Sequence, residues 1–247
     1  MPITKALNIL AFGVILFCCT SNTEDIKTKL EDIQEQEDTN TFKNDTLKII
    51  ALGDSYTIGE SVCSSCKFPE QLIDSIANII SDVTIELTVI AKTGWTTSAL
   101  KNALEAETLA EDYDIATLLI GVNNQFQRRP FELFEKEFPE LVTKAITYAG
   151  GKAKNLIVIS IPDYAFTPFG NGNLNISNGI NTYNTFIKNY CDANNITYVF
   201  ITDITRQGIE NPSLVANDGL HPSTLAYSKF VSRLLPEALE KIGYNTD

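Results

Sequence analysis

Five short apolar runs recur along the chain: LKIIAL from Leu47, IELTVIA from Ile85, IATLLIG from Ile115, NLIVISI from Asn155 and TYVFI from Thr197. Each is rich in β-branched residues and is continuous rather than alternating. A strand with one wet face alternates apolar and polar side chains, so continuous runs indicate strands covered on both faces. Between them lie segments of helical length and spacing: PEQLIDSIANII, SALKNALEAETLA, FELFEKEFPELVTKAITYA, INTYNTFIKNYCDA and STLAYSKFVSRLLPEALEKI. This alternation predicts an α/β domain of three layers, a five-stranded parallel sheet with helices placed on both faces by right-handed crossovers. With 247 residues, 44% of them hydrophobic, the chain can build one sizeable core. Its formal net charge of -12 argues against a nucleic-acid partner, because phosphate-backbone binding needs Lys and Arg to release counterions.

The N-terminus reads as a targeting segment. Lys5 precedes an apolar stretch from Ala6 to Phe17, too short and wrongly flanked for a membrane span but of the right shape for a secretory signal. The following LFCC resembles a bacterial lipobox, with Leu16 three residues before Cys19. That resemblance implies a signal peptide over residues 1–18 and lipidation of Cys19. More than one acyl chain would then hold the protein stably on a membrane. An ordinary signal peptide cut nearby is the alternative. Residues 19–45 are rich in Thr, Asp, Glu, Gln and Asn and poor in bulky apolar side chains, the composition of a flexible tether. Within it, TSNTEDI is similar to surface-export signals of Bacteroidetes lipoproteins, so the expected location is the bacterial cell envelope, periplasmic or surface-exposed. The folded domain is expected over residues 46–247.

In open parallel sheets, ligands bind outside the carboxyl ends of the strands, and here those ends carry unusual residues. The first strand runs into Gly53-Asp54-Ser55. The second is followed by KTGWTT, with Gly94 and Trp95, and the third by GVNNQ, with Asn123 and Asn124. The fourth leads into a Gly- and Asn-rich loop from Asp163 to Gly179, and NDGLHPST, with Asp218 and His221, follows the fifth. His221 is the single histidine, so any imidazole chemistry uses it. Alone, a histidine before proline reads as a turn residue, with Ser223 as N-cap of the last helix. An Asp three residues earlier, with Gly219 to close the turn, changes that reading. The carboxylate can accept one ring N–H and so fix the other nitrogen as the acceptor a general base requires.

GDSY, the isolated Gly94, GVNN and DGLH, in this order and roughly this spacing, resemble the four sequence blocks of the SGNH (GDSL-type) esterases and acylhydrolases. The resemblance covers nearly all of the chain after the tether. It implies an SGNH hydrolase fold, wound in the flavodoxin-like manner, with Ser55 as nucleophile, His221 as general base and Asp218 as its orienting carboxylate. The backbone N–H groups of Ser55 and Gly94 and the side-chain amide of Asn123 would form the oxyanion hole. One residue departs from the pattern: Asn124 stands where the third block usually has Asp. Trp95 and Asn124 are the candidate substrate contacts, Trp95 by stacking on a sugar ring or lining an acyl pocket, although a lone Trp more often belongs to the core. A G-x-S-x-G elbow, a P-loop and a dinucleotide fingerprint are missing, and one histidine with scattered acids assembles no metal cluster, so neither metal nor cofactor is expected.

Cys63 and Cys66 flank two serines after the nucleophile block and form either a local disulfide or two free thiols, while Cys191 fits a buried small hydrophobe. The function expected is a serine esterase acting through an acyl-enzyme on a small-molecule or glycan ester, with a short acyl group such as acetyl preferred. A lysophospholipase or thioesterase, or a non-catalytic binding lipoprotein on the same fold, are the alternatives.

Overall fold

A computed structural model describes residues 46–244. The signal peptide, Cys19 and the tether lie outside the described residues. Among the described residues no helix is long and apolar enough to cross a membrane.

The five apolar runs form strands β1 (Thr46–Gly53), β2 (Thr84–Ala91), β3 (Ile115–Leu119), β4 (Leu156–Ile159) and β5 (Thr197–Val199) of one parallel sheet ordered β2-β1-β3-β4-β5. In chain order the α-helices are α1 (Ser55–Ile58), α2 (Phe68–Ala77), α3 (Thr97–Ala106), α4 (Val122–Phe126), α5 (Phe131–Tyr148), α6 (Leu174–Ala193), α7 (Thr202–Thr205) and α8 (Thr224–Lys241). Right-handed crossovers place α2 on one face, where α8 packs against it, and α3, α5 and α6 on the other. The result is the three-layer α/β fold expected.

Every residue of β3 and β4 is buried, which their continuous apolar composition demands. The α2 layer docks through Phe68, Leu72 and Ile76, spaced by four along one helix stripe, and Phe68 meets Tyr227 of α8. On the opposite face Phe131, Phe134 and Phe138 of α5 interlock with Tyr183 and Phe186 of α6, with ring centroids 4.6 Å apart for Phe134–Tyr183 and 4.9 Å for Phe131–Tyr183. Such aromatic pairs each add about 1 kcal/mol beyond their buried area.

Three elements differ from the expectation. Strands β2 and β5, expected to be covered on both faces, are the two sheet edges, β2 with half-buried or exposed residues and β5 with two of its three residues half-buried. The long loop expected from Asp163 to Gly179 ends early, because α6 begins at Leu174. Asn173 caps it by accepting the Asn175 N–H, and Gly179, poor for a helix, is where the Gln125 side chain packs: a Cβ there would lie 2.7 Å from Gln125 Nε2.

The registers Gly53↔Ala91 and Gly53↔Leu119 bring the ends of β2, β1 and β3 level, so the segments after them open onto one rim. Gly53 sits tightly in this arrangement. A Cβ would fall 2.1 Å from Thr57 Oγ1 and 2.5 Å from the Leu119 carbonyl oxygen. Because the second of these is backbone and cannot rotate away, Gly53→Ala is expected to destabilise the domain by about 3 kcal/mol, read as a lower urea midpoint at unchanged slope.

Candidate active site

The strand order places the crossovers from β1 and to β3 on opposite sides of the sheet, and a cleft opens outside their carboxyl ends, where such sheets bind ligands. Ser55, Gly94, Asn123 and His221 line this cleft of about 180 Å³, with Phe126, Tyr164 and Leu220 as apolar walls. Residues from the segments after β1, β2, β3, β4 and β5 thus converge on one space.

Ser55 is the first residue of α1. Asp54 caps that turn of helix: its backbone carbonyl accepts from Thr57 and Ile58, and its carboxylate accepts the Tyr56 N–H at 3.0 Å. Gly59 in the left-handed region ends it after four residues. Asp54 is fully buried, and burial pushes its carboxyl up to about 7, against the opposing pull of the Tyr56 N–H and the Asn123 amide. The Ser55 hydroxyl makes no hydrogen bond among the described residues, His221 included, although both side chains line the cleft.

His221 follows a turn organised by Asp218. Gly219, at φ 73°, closes it. Asp218 Oδ1 accepts the backbone N–H groups of Leu220 and His221 at 2.9 and 3.0 Å, and Oδ2 lies 2.6 Å from His221 Nδ1. Partial burial alone would raise the Asp218 carboxyl. The hydrogen bonds from Ser61, the imidazole and the two backbone N–H groups outweigh it and hold the group well below the usual carboxylate range. The carboxylate therefore remains charged and can accept from Nδ1 of the imidazole, whose ring lines the cleft. The Tyr56 ring lies against the imidazole at a centroid distance of 5.2 Å. Ser223 caps α8 by accepting the Ala226 N–H, so the turn is anchored at both ends.

Gly94, at φ 83°, presents its backbone to the cleft, and its carbonyl accepts from Gln127 Nε2 at 2.9 Å. The Ser55 and Gly94 N–H groups make no hydrogen bond among the described residues. Asn123 Nδ2 donates to the Trp95 carbonyl at 3.1 Å and, over a longer 3.4 Å, to Asp54 Oδ2. Ser55 at the start of α1, Gly94 in the segment after β2 and Asn123 in α4 thus bring three donor-bearing residues to one cleft.

Both candidate substrate contacts are corrected by their surroundings. Asn124 is 0% exposed: its Oδ1 accepts the Thr97 N–H at 3.0 Å and its Nδ2 donates to Thr97 Oγ1 at 2.7 Å. Thr97 Oγ1 donates in turn to the buried Glu137 at 2.5 Å. Asn124 thus joins α4 to α3 and α5 rather than facing a ligand. The Trp95 side chain packs partly buried against the core and does not line the cleft; its carbonyl, not its ring, serves the site by orienting Asn123.

The loop after β4 is tied down at its base. Buried Asp163 accepts from Ser177 Oγ at 2.6 Å, Arg206 Nε at 2.9 Å and the Ala165 N–H at 3.1 Å. Tyr164, held by Gln125 at 2.7 Å, Phe126 and the exposed Phe169 form an aromatic group at the cleft mouth, with centroids 5.7 to 6.3 Å apart. The sequence reading assigned no role to Ser61, Asp54, Tyr164 or Phe126. For Asp54 the signal is its place beside Ser55; for the others no local pattern exists. Cys63 and Cys66 form a disulfide with Cα atoms 4.9 Å apart, and Cys191 is buried, which pushes its thiol up to about 12. Among the described residues no group of three or more His, Cys, Asp or Glu side chains could hold a metal ion.

The model of the GDSL-like Lipase/Acylhydrolase family matches residues 51–229. Among solved structures, a lipase/acylhydrolase from Enterococcus faecalis is similar with a TM-score of 0.63 and 20% identity, covering 81% of this chain and 100% of that one. A putative lipolytic protein of the G-D-S-L family from Desulfitobacterium hafniense DCB-2 gives 0.61 and 18%, covering 77% and 98%. An acetylxylan esterase from Geobacillus stearothermophilus gives 0.60 and 18%, covering 81% and 95%. At these identities the likeness is one of fold. No curated protein matches the chain.

Two outcomes are expected from the groups behind the site. In Asn124→Asp the single Thr97 hydroxyl proton would face two carboxylates, Asp and Glu137, so the variant should lose about 2 to 3 kcal/mol by urea denaturation at neutral pH, part of it recovered by adding Glu137→Gln. The second concerns pH. The Asp54 carboxyl at about 7 in the fold, above its unfolded value of roughly 4, leaves the folded chain holding more protons between those values. Its stabilising effect is therefore complete below the unfolded value and is lost as pH rises through the folded one. Asp54→Asn, which cannot ionise, should gain stability relative to the parent between pH 5 and pH 8, with the difference level at higher pH.

Proposed function

Since the chain belongs to the GDSL-like lipase/acylhydrolase family and is a hydrolase acting on esters, we propose that it works as a serine esterase with Ser55, His221 and Asp218 as its triad. The observation that carries this reading is the 2.6 Å contact of His221 Nδ1 with Asp218 Oδ2 at the edge of a cleft shared with Ser55, Gly94 and Asn123. Substrate binding brings the Ser55 hydroxyl into its hydrogen bond with His221 Nε2; such bonds are often unmade in a free enzyme. Ser55 Oγ attacks the ester carbonyl as His221 takes its proton, and Asp218 stabilises the imidazolium. Negative charge on the tetrahedral oxygen is received by the Ser55 and Gly94 N–H groups and by Asn123 Nδ2, whose long bond to Asp54 is the one that yields. His221 returns the proton to the leaving alcohol, and water enters by the same steps in reverse to release the acid.

A cleft of about 180 Å³ favours a short acyl group, since sites for drug-sized ligands run to roughly 300 Å³ or more. The acetylxylan esterase of similar fold is consistent with an acetyl ester on a glycan. A second reading, a longer acyl chain as in a lysophospholipase or thioesterase, is supported by the exposed Phe126 and Phe169 beside the cleft. The lipobox resemblance supports a lipid anchor at Cys19 and a place on the cell envelope.

Hydrolysis of p-nitrophenyl acetate is expected to fall about a thousandfold or more in Ser55→Ala, and labelling by a fluorophosphonate should vanish with it. Retained turnover in that variant would remove the triad, and absence of labelling in the parent would point to a binding protein. Comparing acetyl with octanoyl esters decides between the two acyl readings.

A further inference from the structure

Ser61 lies outside every block that marks this family, two residues past the Gly59 that ends α1 and two before Cys63. Its backbone stands in the left-handed region, at φ 66°, where a side chain is strained and glycine is not. Strain of this kind persists only where surrounding contacts over-determine it, and Ser61 has one such contact: its Oγ donates to Asp218 Oδ2 at 2.7 Å. That oxygen is the one facing His221 Nδ1 at 2.6 Å. The other donors to Asp218 come from its own turn, the N–H groups of Leu220 and His221. Among the described residues Ser61 is therefore the one donor reaching this carboxylate from elsewhere in the chain.

The Ser55 and His221 segments already touch where the Tyr56 ring lies against His221, and the Ser61 bond adds a polar tie between them. Ser61 stands on the short segment that carries Ser55, and Asp218 stands on the turn that carries His221. A hydrogen bond across them sets the approach of nucleophile and base. It also shares Oδ2 between the hydroxyl of the exposed Ser61 and the imidazole.

We propose that Ser61 is a positioning residue for ester hydrolysis, holding the Asp218 oxygen that orients His221 and limiting how much of its charge the imidazole receives. This rests on the triad reading above. The titratable groups electrostatically coupled to Asp218 are His221, Tyr56 and Tyr227, with Asp54 and Glu60 beyond them beside Tyr227. Burial raises both phenols well above their usual range, so they stay neutral across an assay. Glu60 accepts from Thr93. The Asp54 carboxylate bonds to the Tyr56 N–H and Asn123 and not to Ser61 or Asp218, so removing the Ser61 hydroxyl takes away none of its contacts.

The decisive variant is Ser61→Gly in the full-length chain, because glycine keeps the left-handed backbone without strain while removing the hydroxyl. Thermal stability should be equal or higher. With p-nitrophenyl acetate, kcat should fall about tenfold while KM changes less than about twofold. The acidic limb of kcat/KM should move to higher pH, because a carboxylate with one donor fewer stabilises the imidazolium more strongly. Ser61→Ala should show the same kinetic changes with lower stability. A Ser61→Gly enzyme with parental kcat and an unmoved acidic limb would overturn the proposal, whatever its melting temperature. Ser55→Ala, assayed alongside, separates the two levels: if it is inactive while Ser61→Gly is normal, only the role of Ser61 falls, whereas turnover without Ser55 removes the triad and Ser61 with it.

Discussion

The close approach at the end of β1 is the constraint on which the site depends. Gly53 stands level with Leu119 of β3, and neither the Leu119 carbonyl nor the Thr57 side chain leaves room for a Cβ. That proximity lets the chain leave the sheet directly into α1, with Asp54 capping it and Ser55 as its first residue. Because β1 has β2 on one side and β3 on the other, the same point lies between the segments bearing Gly94 and Asn123. The position of Ser55 is thus a product of sheet order and one absent side chain.

Behind the cleft, polar groups withdrawn from water fix backbones rather than touch ligand. Asn124, Thr97 and Glu137 tie three helices together, and Asp163 ties the loop after β4 to α6 and to the segment following α7. Buried polar groups impose this order because each unmade hydrogen bond would cost the full desolvation of its partner. An amide at position 124 suits that role: it can accept from the Thr97 N–H and donate to the Thr97 hydroxyl, whose own proton goes to Glu137. A carboxylate has no donor to offer.

Much of the architecture was legible in the chain itself. The runs IATLLIG and NLIVISI could be buried only as central strands, and α5 and α8 keep their apolar stripes over 18 residues each. The Asp218 to His221 spacing anticipated the ring contact because a three-residue turn leaves few geometries. Reading failed where the outcome hangs on a distant partner. IELTVIA has the composition of a covered strand, and its place at the edge follows from sheet order, which no local pattern encodes. The first turns of α6 have poor propensity and form because Asn173 caps them and Gly179 accepts the Gln125 side chain. For Trp95 a ligand contact and a core place are both open in the sequence, and the ring packs partly buried against the core.

By itself the sequence determined the fold class, the five strand ends at which chemistry could gather, and the pairing of the single histidine with a nearby carboxylate. Periodicity and turn spacing are local quantities, and those conclusions need nothing else. Only the tertiary structure decided which face each polar residue turns to: that Asn124 is sealed inside, that Trp95 contributes a carbonyl, and that Ser61 reaches a carboxylate 157 positions away. Contacts of that range are made by packing after the chain has folded, and the residues joined by them carry no mark of each other in the sequence.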